Sequence, residues 1–76
     1  MMNVKISDMK KFLQKVDACS GEVYIVYPGG GTEDIHKNPV RQAELIDEWR
    51  AAGEFLQLSL DIPKRMDAFK LSSFSK

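Results

Sequence analysis

The segment CSGEVYIVYPGGGT, Cys19 to Thr32, decides the fold. A helix is expected to stop at Gly21, with glycine supplying the positive φ that ends its last turn. Glu22 to Tyr27 contains β-branched and aromatic residues without helical period, so it reads as a strand. Apolar residues at both parities imply two covered faces, or one tyrosine turned to solvent with its hydroxyl. Pro28, Gly29, Gly30 and Gly31 then reverse the chain, and Thr32 to His36 returns as a partner strand with Ile35 inward.

Upstream, Asn3 to Ile6 reads as a short first strand with Val4 and Ile6 on one face. Ser7 is the expected N-cap of a helix whose Met9, Phe12, Leu13 and Val16 recur at i, i+3, i+4 and i+7. Downstream, Asn38 followed by Pro39 marks a second helix start, because proline's missing amide costs nothing in the first turn. Leu45, Ile46, Trp49 and Ala52 are expected to line its buried stripe, with Val40 and Ala43 at its beginning and Gly53 at its end. Phe55 to Ile62 alternates, with Leu56, Leu58, Leu60 and Ile62 on one face, and reads as a half-buried strand. Asp61 is placed to cap a last helix with Pro63 in its first turn. Met66 and Phe69, with Leu71 and Phe74, would form that helix's apolar side, and the serine-rich end would fray. The expected order is β-α-β-β-α-β-α in one small α+β domain spanning residues 1–76, a two-layer open-faced sandwich with helices on one face of a mixed or antiparallel sheet.

Composition narrows the function classes. A chain of 76 residues buries only a little over ~60% of its unfolded surface, so its core is thin. With 43% hydrophobic and 29% charged residues, it reads as a folded globular domain rather than a disordered one. Eleven basic and eleven acidic residues cancel, leaving no long-range field to gather nucleic acid or an anionic membrane. No apolar run approaches a membrane span, and Met1 to Val4 lead into a polar helix rather than a secretory leader, so a cytoplasmic location is expected. The single cysteine, Cys19, reads as a small buried hydrophobe rather than a reactive thiol.

The element order and several local signals resemble the histidine-containing phosphocarrier protein HPr of the sugar phosphotransferase system. The segment from Phe12 to Phe74 lies along that pattern: the Val23 to Tyr27 strand, the Gly29 to Gly31 turn, Ile35 to Asn38 leading into helix two, the Phe55 to Ile62 strand and the closing helix. The chain is also similar to small uncharacterised Firmicutes proteins with a Cys-x-Gly-x-Val core, here Cys19, Gly21 and Val23. The HPr family carries its phosphorylated histidine in a Gly-Leu-His-Ala-Arg-Pro segment between the first strand and first helix. Here that junction reads Ile6, Ser7, Asp8, Met9, and the family's regulatory serine aligns with Asn38 after Lys37. The resemblance therefore implies the fold without its phosphotransfer chemistry.

The remaining candidate groups read mostly as structure. His36, the only histidine, is either a polar surface residue or the working group of a divergent phosphocarrier or small-ligand-binding protein. Gly29 to Gly31 lacks the Gly-Lys-Ser/Thr that ends a phosphate loop and is followed by Thr32, Glu33 and Asp34, two of them acidic; a hairpin turn is expected. Glu44, Asp47 and Glu48, with Arg41 and Arg50 nearby, read as a salt-bridged helix face rather than a cation site. Lys64 and Arg65 lack the interleaved aromatics of a nucleic-acid site. Tyr24, Val26 and Phe55 have the parity opposite the helix-facing residues and would form an apolar patch on the open sheet face. The sequence thus points to a non-catalytic protein-interaction or self-associating module, a homodimer among the options. No cofactor, no metal, no nucleic acid and no membrane is implied.

Overall fold

The structure, a computed structural model, describes residues 1–75. Its elements are β1 (Met2–Ile6), α1 (Met9–Asp17), β2 (Tyr24–Val26), β3 (Thr32–Asp34), α2 (Pro39–Ala51), β4 (Leu56–Asp61), α3 (Arg65–Leu71) and a 3-10 turn (Ser72–Phe74). The order is the β-α-β-β-α-β-α expected. The sheet runs β1-β4-β2-β3, and all three pairings are antiparallel. The last long strand therefore lies inside the sheet, between the first strand and the hairpin.

Strand alternation sorts the sheet into two faces. Val4, Ile6, Ile25 and Leu60 point to the helices and are buried with Met9, Phe12, Leu13 and Val16 of α1. Ile35, Leu45 and Trp49 extend that core under α2, and Leu71 closes it under α3. Trp49 keeps its polar handle paired, donating from Nε1 to the Ile6 carbonyl at 3.2 Å. Phe12 meets Phe74 edge to face, with ring centroids 5.3 Å apart and planes at 87°.

Helix ends follow the nearest available partner, and this moves several expected boundaries. Asp8, not Ser7, caps α1, its carboxylate accepting from Lys11 N–H at 3.1 Å. The helix closes at Ala18, and Gly21 does not have positive φ; among the glycines only Gly30 (φ 89°) and Gly53 (φ 84°) do. Asn38 caps α2 through Arg41 N–H at 3.2 Å, with Pro39 in the first turn, and Gly53 follows its C-cap Ala52 as expected. Asp61 ends β4 instead of capping α3, which starts after Lys64 with no side-chain cap.

Helices α2 and α3 bury narrower stripes than the spacing suggests. On α2 only Leu45 and Trp49 are buried and Ile46 is half-buried; Val40, Ala43 and Ala52 are exposed. On α3 the buried pair is Asp67 and Leu71, while Met66 and Phe69 face solvent. The serine-rich end does not fray: it winds into the 3-10 turn, and Ser75 bridges antiparallel to Val4. Strands β2 to β4 are each shorter than expected, and His36 sits in the turn after β3.

Candidate functional site

The open sheet face is built from residues at the alternate parity. The register sets Lys5 beside Gln57 and Asn3 beside Ser59, Tyr24 between Asp61 and Asp34, and Val26 beside Thr32. Tyr24 and Val26 are half-buried there, flanked by polar neighbours; the Ser59 hydroxyl donates to Asn3 Oδ1 at 2.8 Å. Phe55 precedes β4, one step beyond the Ile6–Leu56 pair and four residues along the strand from Ser59, so it stands apart from Tyr24 and Val26. Beside Val26 the face sinks into a hollow of about 520 Å³, lined by Tyr27, Pro28, Gln57 and Ser59 among others. The hollow lies at the hairpin, where Tyr27 N–H donates to Gly31 O and Gly30 N–H to Tyr27 O, so the three glycines form the expected turn.

The sheet edges are blunted against strand addition. β3 is three residues long and carries Glu33 and Asp34, and the outer edge of β1 is bridged at Val4 by Ser75. The broad face is the larger free surface of the sheet.

His36 is committed to the fold. Its Nε2 lies 2.8 Å from the Cys19 carbonyl oxygen, which can only accept, so that nitrogen carries the proton. Its backbone N–H donates to Asp34 Oδ1 at 2.9 Å. Next to it, Lys37 takes φ 51°, with its N–H on Asp17 Oδ1 at 2.9 Å, and Gln42 donates to both Asp17 Oδ1 and Ile35 O at 2.8 Å. This cluster ties the end of α1 to the start of α2. The Cys19 thiol is buried, donates to Lys15 O at 3.3 Å, and is pushed up from its ordinary value by burial first and by Asp67 second, the opposite of an activated nucleophile.

Two further charged centres emerge. Arg41 reaches from α2 to Glu33 on β3 and to Glu48 one helical stretch on, both at 2.5 Å, and donates to the Tyr27 hydroxyl at 2.9 Å. The Tyr27 hydroxyl in turn donates to Glu33 at 2.8 Å. The hydrogen bond from Arg41 holds the Glu33 carboxyl below the usual carboxylate range. Sequence spacing identified the Arg41, Glu44 and Glu48 face; it did not place Glu33 and Tyr27 on it. Asp67 was not legible as a site. It is 1% exposed and accepts from Ser20 N–H at 2.9 Å, Gly21 N–H at 3.0 Å and the Ser20 hydroxyl at 3.3 Å. The Ser20 amide first, then the Gly21 amide, outweigh burial and hold this carboxyl below its ordinary value.

Among the described residues no group of three or more His, Cys, Asp or Glu side chains is arranged to hold a metal ion, and no helix is long and apolar enough to cross a membrane. Comparisons with protein-family models, curated proteins and solved structures give no match to this chain.

Proposed function

We propose that this chain is a non-catalytic protein-interaction module that works through the open face of its sheet. The observation that carries the reading is the hollow beside Val26, an apolar-walled depression at the hairpin end of the sheet face opposite the helix-packed core. Polar rims around small apolar centres characterise recognition surfaces. The non-catalytic part is supported by the two chemically versatile side chains, His36 and Cys19, being spent on backbone carbonyls. A phosphocarrier or small-ligand reading through His36 would have to rely on Nδ1 alone. Zero net charge favours a protein partner over nucleic acid, and the single buried thiol suits a cytoplasmic setting. The HPr-like relationship belongs to the same proposal and is supported by the shared element order. Within it, Asp8 at the β1–α1 junction and Asn38 before α2 serve as helix caps where the family carries its phosphorylated groups.

The test is Val26→Glu, which sets a charge beside the hollow without touching the core side of the sheet. Self-association is measured by sedimentation up to about 1 mM, and partner capture from host extract is compared with the unaltered chain. The substitution is expected to weaken one of the two. A variant that matches the parent in both would refute the reading.

A further inference from the structure

We propose that two copies of this chain pack open face to open face about a two-fold axis. Tyr24 of each copy sits in the hollow of the other, and Lys5 of each meets Asp61 of the other. The inference rests on the interaction reading above and identifies the partner as a second copy.

The open face is a small grid whose symmetry suggests the pairing. Asn3, Ser59, Val26 and Thr32 form a middle row across the four strands. Lys5 and Gln57 lie two residues to one side of it, and Asp61 and Tyr24 two residues to the other. At an antiparallel rise of roughly 3.4 Å per residue, each offset is about 7 Å. A two-fold axis along the middle row exchanges the two sides.

That operation lays Tyr24 over the Pro28 and Gln57 end of the second copy, where the hollow lies. It brings Lys5 within one strand spacing, about 4.8 Å, of the line above Asp61 in the second copy. Facing sheets stand roughly 10 Å apart, a gap that an extended lysine and an aspartate together span. Neither Lys5 nor Asp61 joins an ion pair among the described residues, so both charges are free for this contact. On the axis Val26 meets Val26, and the Ser59–Asn3 pair enters already hydrogen-bonded. An isologous interface requires this kind of self-complementarity, knob to hollow and cation to anion.

The size of the face sets the strength. The four strands hold five, three, three and six residues; at about 4.8 by 3.4 Å per residue they cover roughly 280 Å² in projection, well under the ~800 Å² per partner of a standard interface. The dimer is therefore weak and concentration-dependent.

Sedimentation equilibrium of the full chain between about 10 µM and 1 mM should show this dimer. Lys5→Asp and Asp61→Lys should each weaken it at least about fivefold, because each sets like charges opposite one another. An equimolar mixture of the two variants should recover association to within about twofold of the parent, since the mixed dimer has two opposite-charge pairs. Two misfolded variants would not complement, so recovery also reports on folding. A chain that stays monomeric throughout overturns the inference, and the Val26→Glu capture experiment then decides the interaction reading alone. A dimer indifferent to both charge reversals, or a mixture without recovery, overturns this geometry. Weakening of that dimer by Val26→Glu would still leave the open face as the contact.

Discussion

Asp67 fixes α3 to the α1–β2 link from inside the molecule, whereas Arg41 fixes α2 to the β2–β3 hairpin at its surface. Asp67 is 1% exposed, and its partners are backbone amides and one hydroxyl 46 and 47 residues away. The Arg41 side chain is 13% exposed, but its acidic partners are largely open to water, Glu48 at 52% and Glu44 at 61%. The contrast concerns what is left behind when the group is removed. Without Asp67, two amides at the start of the link lose their acceptor inside the protein. Without Arg41, three carboxylates regain solvent.

The largest effect should therefore come from Asp67→Ala, with a fall in Tm on the order of 10 °C by thermal unfolding. Asp67→Asn should do nearly as badly, because its amide group turns a donor toward an N–H that needs an acceptor. Rescue by asparagine would show that charge and geometry matter less than size.

Acid should weaken the same contact next. The Asp67 carboxyl lies below its unfolded value in the folded chain, so folding favours its ionised form. The resulting stabilisation is complete above about pH 5 and is lost as pH falls from about 4 through the depressed folded value. Denaturant titrations between pH 6 and pH 2 should show a steeper acid loss in the parent than in Asp67→Asn. Parallel curves would sink the assignment.

Arg41→Gln should cost less, about 1 kcal/mol, and that cost should shrink in high salt because the partners are exposed. Stability measured at low and high ionic strength separates it from Asp67, whose partners are uncharged amides and a hydroxyl. The smallest effect belongs to Gly21→Ala. A Cβ there would lie 2.9 Å from Lys64 Cε, the far end of a flexible side chain, and φ is not positive. The substitution should shift stability by less than about 0.5 kcal/mol, against a loss of about 1 kcal/mol for Gly53→Ala at φ 84°. A large loss at Gly21 would mean that the link around Asp67 is tighter than its sterics indicate.

Short-range signals were the legible ones. Met9, Phe12, Leu13 and Val16 are all buried on α1, and Asn38–Pro39 and Gly53 bound α2 as read. These features depend on spacing and on the intrinsic geometry of proline and glycine. What escaped depends on partners far along the chain. Met66 and Phe69 share an apolar spacing, yet the face of α3 that turns inward carries Asp67 and Leu71. The reason lies at Ser20 and Gly21, whose amides follow the end of α1 and lack a backbone acceptor. A carboxylate on α3 satisfies them, and the hydrogen bonds outrank hydrophobic ordering on a two-turn helix. Similarly, Tyr24 and Val26 were legible as outward-facing by parity. The distance of Phe55 from them depends on where β4 starts, which alternation alone does not fix.

The placement of β4 also governs the order in which the molecule is made. The hairpin of β2 and β3 is local, and α1 and α2 flank it, so this middle region needs only near neighbours. β1 has no such strand neighbour: its register partners run from Leu56 to Leu60, 50 to 58 residues along the chain. Until Leu56–Asp61 slots between them, the first strand and the hairpin belong to separate fragments. Closing that long loop is expected to be the slow entropic step of assembly. Substitutions in β4 should accordingly slow folding, while those on the surface of α2 should chiefly speed unfolding.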